Sequence, residues 1–188
     1  MNNVKKFVIA DTHFYHTNII ESCNRPYDNA EQMNEDYIQK WNEVVRQHDK
    51  VYMLGDFSFA NKELTTELVS RLNGFIYLVM GNHDRRHSAK WLLECGFKNV
   101  YEFPIVYGYV NGLPLILSHR PVPVSEMDTF FNIHGHIHNS HYGYPTHFNC
   151  GIDIIKRPIE IKDFTNHINL KSGVLVDNEI NKLETILK

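Results

Sequence analysis

Short apolar runs without alternation punctuate the first half of the chain: Phe7-Val8-Ile9-Ala10, Val51-Tyr52-Met53-Leu54 and Ile76-Tyr77-Leu78-Val79-Met80. Such runs predict strands buried on both faces. Between them, apolar positions recur at helical spacing. Ala30 to Arg46 carries Met33, Tyr37, Ile38, Trp41, Val44 and Val45 on one side, with Asp28 or Asn29 as cap. Lys62 to Leu72 carries Leu64, Leu68 and Leu72 and stops at Asn73-Gly74; Ser88 to Cys95, closed by Gly96, predicts a shorter helix. The second half reads differently. Ile105 to Leu117 predicts a hairpin about Asn111-Gly112, and Asn132 to His136 and Phe148 to Ile152 predict further strands. Beyond Ile159 the pattern is ambiguous, with Val174-Leu175-Val176 suited to an edge strand and Glu179 to Leu187 to a terminal helix. The order βαβαβα, then strand-rich chain, predicts a single α/β domain over residues 1–188, with two packed sheets and no internal repeat.

Composition narrows the function classes. At 188 residues and 43% apolar, the chain can bury a sizeable core. A net charge of −3 gives no global electrostatic case for tight nucleic-acid binding. No apolar run reaches the length of a membrane span, and Met1 to Lys6 leads into the first strand rather than into a signal peptide, so no membrane association is expected. Cys23, Cys95 and Cys150 form neither a CxxC motif nor an even disulfide set, which points to a cytoplasmic home. The twelve histidines are out of line and ask for a metal or acid–base explanation.

The polar residues of interest follow the apolar runs. Strand one ends in Asp11-Thr12-His13, strand two in Gly55-Asp56 and strand three in Gly81-Asn82-His83-Asp84. The hairpin ends in Ser118-His119, and the next strand runs into Gly135-His136-Ile137-His138. Ligands collect at the carboxyl ends of strands in open α/β sheets, so five such endings can converge on one site. In an extended chain, Asp11 and His13 would point the same way, as would His136 and His138. Glycines 55, 81 and 135 are expected to allow the tight turns between them. Two carboxylates, four imidazoles and an amide, without a thiolate, suit Mn²⁺, Fe or Zn²⁺. They are too many for one tetrahedral ion and enough for two ions about 3.5–4 Å apart sharing a carboxylate.

The order Asp-x-His, Gly-Asp, Gly-Asn-His-Asp, His, Gly-His-x-His, spanning Asp11 to His138, resembles the calcineurin-like metallophosphoesterase superfamily. More locally, Asp11 to Ile20 followed by Asn24-Arg25-Pro26 is similar to small stand-alone phosphoesterases of bacteria and their phages. The resemblance implies a four-layer αββα sandwich of two mixed sheets. It implies that Asp11, His13 and His138 hold one divalent ion, that Asn82, His119 and His136 hold the other, and that Asp56 bridges them. Mn²⁺ is favoured, with Fe, Zn²⁺, Ni²⁺ or Co²⁺ as alternatives. His83, oriented by Asp84, would stand beside the substrate phosphate. The chain departs from Ser/Thr protein phosphatases and dinucleoside tetraphosphate hydrolases, which continue Gly-Asp with Val-Asp-Arg-Gly and use Gly-Asn-His-Glu. Here Gly55-Asp56 is followed by Phe57-Ser58-Phe59-Ala60, so their phosphate-clamping arginine is missing at that position.

The expected activity is two-metal hydrolysis of a phosphate ester, diesters before monoesters. A water bridging the ions would attack phosphorus, Asn82 would help hold the non-bridging oxygens, and His83 would assist the departing oxygen. Arg85, Arg86 and Arg120 follow ligand-bearing turns; one of them is expected to contact substrate, with Arg85 and Arg120 the named candidates. His16 and Asn18 are either groups close to the site or a helix start, and His134 either reaches the site or is a buried histidine. Rival readings are a monoesterase of small phosphates, a nuclease with nucleic acid as substrate only, and a non-catalytic scaffold, which would be expected to have lost ligands that this chain keeps.

Overall fold

The computed structural model describes residues 3–125 and 129–166; the strand expected at 174–176 and the helix expected at 179–187 lie outside them. Two mixed sheets carry the fold. In the first, β1 (Lys6–Ile9), β2 (Lys50–Met53), β3 (Phe75–Val79) and β4 (Asn99–Tyr101) run parallel, and β9 (Ile159–Glu160) pairs antiparallel with β1. The order across this sheet is β4-β3-β2-β1-β9. The second sheet consists of β5 (Ile105–Val110), β6 (Leu113–Leu117), β7 (Phe131–His134) and β8 (His147–Asn149), in that order. Its first pair is antiparallel and the other two are parallel. Asn111 and Gly112, with φ of 50° and 82°, close the hairpin as their sequence predicts.

The helices are α1 (Asn18–Ser22), α2 (Ala30–Val44), α3 (Lys62–Arg71), α4 (Ala89–Glu94), α5 (Ile152–Ile155) and α6 (Ile161–Asn166). The Asn29 side chain caps α2 by accepting from Gln32 N at 2.8 Å. Register places Val8, Tyr52 and Tyr77 on one face of the first sheet. Tyr52 stacks on Tyr77 at 5.3 Å and meets Tyr107 of β5 edge-on at 5.2 Å, so this face looks toward the second sheet. The pleat turns Val51 and Met53 the other way, where Trp41 of α2 is buried and donates from Nε1 to Asn73 O at 2.9 Å. The expected four-layer α/β sandwich is the architecture.

Two local expectations need correction, and two stretches gain elements that the pattern left undefined. The strand expected at 132–136 ends at His134, because the chain leaves the ladder at Gly135. The strand expected over 148–152 stops at Asn149 and gives way to α5. The short elements α1 and β4 carry too few residues for periodicity to reveal them. Beyond Ile159, β9 and α6 replace an ambiguous tail as far as residue 166.

Candidate metal centre

Every motif residue singled out above lies just past the carboxyl end of β1, β2, β3, β6 or β7. The side chains do not converge by strand alternation, however. Asp11, His13, Asp56, His136 and His138 have φ of 57°, 50°, 55°, 70° and 49°, in the left-handed region rather than the extended one. Such backbone costs about 1–3 kcal/mol per residue and persists where surrounding structure over-determines it. Here a ladder between loops does so: Asp11 N donates to Gly55 O at 3.0 Å, His13 N to Asp56 O at 3.0 Å and Phe14 N to Phe57 O at 2.9 Å. Phe14 and Phe57, both fully buried and 5.3 Å apart, anchor the two loops beneath the site. Each buried ring contributes about 1.5–3 kcal/mol.

The glycines serve two purposes. Gly55, with φ of 87°, makes the turn expected of it. Gly81 and Gly135 have no positive φ; they are needed because a side chain would not fit. A methyl on Gly135 would lie 2.4 Å from Ala10 Cβ and 2.5 Å from Asp11 Oδ2.

Besides a group of Cys23, His138 and Asp153, the motif residues form two groups of potential ligands, Asp11 with His13 and His138, and Asp56 with His119 and His136; within each, the ligand atoms lie within 4.8 Å of one another. Asp56 stands between them: its Oδ2 is 3.7 Å from His13 Nε2 and 3.4 Å from His119 Nε2. Asp56 and Asp11 are both buried, and burial pushes both carboxyls above their ordinary range; at Asp11 the Asp56 charge adds to the rise. Burial drives His13 down to about 2, and His119 and His136 down to about 4, so these imidazoles are neutral near pH 7. His119 Nδ1 lies 2.9 Å from Leu54 O and takes the single ring proton to bond it. Its Nε2 is then a bare lone pair, 2.9 Å from Asn82 Oδ1. Asp11 Oδ1 and both His13 nitrogens are buried without any hydrogen-bond partner among the described residues. Each neutral imidazole keeps one N–H and turns one bare lone pair to the cluster; lone pairs of this kind, facing carboxylate oxygens that also lack donors, are satisfied by a cation, so these residues fit divalent ions.

The structure revises the role expected of Asp84. Its carboxylate does not orient the His83 ring. Fully buried, it accepts from Gly81 N at 2.8 Å, Asp56 N at 2.7 Å and Phe57 N at 3.1 Å, tying the third loop to the second. His83 donates its backbone N–H to Asp56 Oδ1 at 2.9 Å, and its ring, 45% exposed, brings Nε2 to 3.9 Å from Asp56 Oδ2. Of the arginines, Arg85 donates to Glu102 O, and Arg86 donates to Ser58 O at 2.7 Å while lying over the Phe59 ring at 4.6 Å. Arg85 and Arg120 border a cleft of about 260 Å³ whose wall includes Asn82 and His119. His16 stacks face to face on Phe59 at 3.8 Å, next to His13, whereas Asn18 starts α1. His134 is buried, bonded through Nδ1 to Gly135 O and packed near Tyr142 and His147, which resolves it as a core histidine.

Arg25, Asp153 and Phe59 also belong to this region; Arg25 lies in the family-like Asn24-Arg25-Pro26 stretch, but the sequence assigned none of the three a role at the site. Arg25 and Asp153 form a buried ion pair at 2.8 Å, and Asp153 accepts from His138 Nδ1 at 2.9 Å. Burial pushes the Asp153 carboxyl up, but the His138 and Arg25 contacts outweigh it and hold the group below its ordinary value.

The chain is similar to an uncharacterized protein of Methanocaldococcus jannaschii, at 37% identity over 75% of this chain and 73% of that protein. It is also similar to the gene 66 protein of Mycobacterium phage L5, at 26% identity over 88% of this chain and 96% of that one. A solved structure of a protein of unknown function from Aquifex aeolicus superposes with a TM-score of 0.68 and 26% identity, covering 88% of this chain and all of the other. Residues 5–184 match the calcineurin-like phosphoesterase family, and with the sheet topology and the five-loop cluster in agreement, the chain belongs to that family.

Proposed function

We propose that the protein is a hydrolase of phosphate esters that works with two divalent ions and prefers diesters to monoesters. The observation that carries this reading is the pair of ligand groups meeting at Asp56 Oδ2, with buried lone pairs at Asp11, His13 and His119. Asp11, His13 and His138 would hold one ion, Asn82, His119 and His136 the other, and Asp56 would touch both. Bound there, the ions would supply an activated water and positive charge for the phosphoryl oxygens. The carboxylate and imidazole donors favour Mn²⁺, with Fe, Zn²⁺, Co²⁺ and Ni²⁺ as competitors.

The protein's own groups complete the site. His83 stands at its open side, where its ring can give a proton to the departing oxygen of a diester. Asn82 turns its amide oxygen inward and faces the second group. Behind Asp56 lie Phe57 and Ser58, neither of which clamps a phosphate dianion, and this favours a singly charged diester. Arg120 and Arg85 border the cleft beside Asn82, and one of them contacts the substrate beyond the scissile phosphate. The substrate is a small phosphate ester, with an exposed nucleic-acid strand as a candidate of the same chemistry. Among the described residues no helix is long and apolar enough to cross a membrane, and the three unpaired thiols support a cytoplasmic setting.

The test compares kcat/KM for bis(p-nitrophenyl) phosphate and p-nitrophenyl phosphate after chelation and re-addition of Mn²⁺, Co²⁺ or Ni²⁺. Loss on chelation, recovery with metal and diester preference are expected. Full activity in a preparation free of metal by elemental analysis overturns the mechanism, and monoester preference overturns the substrate class.

A further inference from the structure

We propose that Arg25 and Asp153 act as a positioning pair that fixes the His138 ring and the Asp11-Thr12-His13 turn, making the Asp11, His13 and His138 group the tighter of the two cation positions. This rests on reading the two groups as cation sites. Both side chains are buried, 2% and 5% exposed. Arg25 donates from Nε to Asp153 Oδ1 at 2.8 Å and from Nη2 to Oδ2 at 3.0 Å. The same guanidinium donates from Nη1 to Thr12 O at 2.9 Å and from Nη2 to Asp11 O at 2.8 Å. It therefore grips the two carbonyls of a turn whose flanking residues sit at positive φ. Asp153 at the same time accepts from His138 Nδ1 at 2.9 Å.

An ionised carboxylate only accepts, so it demands the ring proton at Nδ1 and leaves the His138 Nε2 lone pair free for a cation. The groups differ in what braces them: each has one imidazole without a ring hydrogen bond among the described residues, His13 in one and His136 in the other, but His138 is oriented by a charged carboxylate and His119 only by a neutral carbonyl, Leu54 O. No hydrogen bond or ion pair joins Arg25 or Asp153 to Asp56, His119 or His136 among the described residues.

The experiment is a calorimetric titration of the full metal-free chain with Mn²⁺, wild type against Asp153→Asn. Oδ2 accepts from both Arg25 Nη2 and His138 Nδ1 while Oδ1 accepts from Arg25 Nε, so in either orientation the neutral amide turns an NH₂ toward a donor, and the tighter step is expected to weaken about 10–100-fold while the weaker step stays near wild type. Equal weakening of both steps, or of neither, overturns the proposal. A wild type that takes up no Mn²⁺ instead overturns the cation-site reading beneath it. Should Asp153→Asn fail to fold, the wild type decides alone. Its long-range ¹H–¹⁵N imidazole spectrum, with the His138 signals identified by their absence in His138→Gln, is expected to show the Nδ1–H tautomer. The Nε2–H tautomer overturns the assignment.

Discussion

Replacing Gly81 with alanine puts the geometry of the centre at direct risk. A methyl on Gly81 would lie 2.2 Å from Asp56 Oδ1, 2.5 Å from Asp56 N and 2.9 Å from Asp56 Cγ. Comfortable heavy-atom contacts are about 3.5–4.0 Å, so relief needs a movement of roughly 1 Å. Asp56 is not free to make it. Its Oδ1 accepts from His83 N at 2.9 Å, its N donates to Asp84 Oδ2 at 2.7 Å, and Gly81 N donates to that same oxygen at 2.8 Å. The variant must therefore either push the Asp56 carboxylate out from between His13 and His119 or part the Gly81 turn from Asp84. Overpacking of this kind costs about 1–3 kcal/mol of stability, and misplacing a catalytic group by about 1 Å costs on the order of 10²-fold in rate. Thermal unfolding, bound Mn²⁺ after dialysis and kcat/KM are the readouts, and all three are expected to fall. Gly108→Ala is the control, because a methyl there meets nothing within 4 Å; it should behave as wild type. Wild-type metal content and kcat/KM in Gly81→Ala would refute the close-approach reasoning.

Two further outcomes follow from the same site and a third from the core histidine beside it. Asp56→Asn removes the charge shared by both groups, so elemental analysis should find both ions depleted; loss of one with full retention of the other assigns Asp56 to a single position. His83→Gln should keep metal content near wild type while lowering kcat about 10²–10⁴-fold on a poor leaving group, and an unchanged kcat where chemistry limits the rate refutes its role. His134, held by burial at about 4, refuses in the folded state the proton that an unfolded chain takes near 6.5. Its contribution to stability is thus complete above about 6.5 and lost as pH falls toward about 4. In chelator, His134→Phe should lose less stability over that window than wild type, and equal acid sensitivity in thermal unfolding contradicts the linkage.

Much of this was legible in the chain itself. Buried strands announce themselves as short apolar runs, α2 and α3 as helical periodicity ending near polar caps, and the hairpin as Asn111-Gly112, because each of these signals is local. The chemistry was legible as well, since ligand-type residues follow strand after strand at the end where α/β sheets present them. Tertiary structure decided how they meet. No pattern reveals that Asp11, His13, Asp56, His136 and His138 reach the centre through left-handed backbone rather than pleat, because loop-to-loop hydrogen bonds hold that conformation. Nor does any pattern show that Asp84 serves three backbone amides instead of the neighbouring imidazole. Arg25 and Asp153, 128 residues apart, become partners only once the chain leaving β1 is joined to the start of α5, where Ile152 N donates to Ala10 O at 2.9 Å. Periodicity reports which face of an element is buried, whereas the partner of a buried polar group is fixed by folding, which must satisfy that group wherever the chain brings a complement within reach.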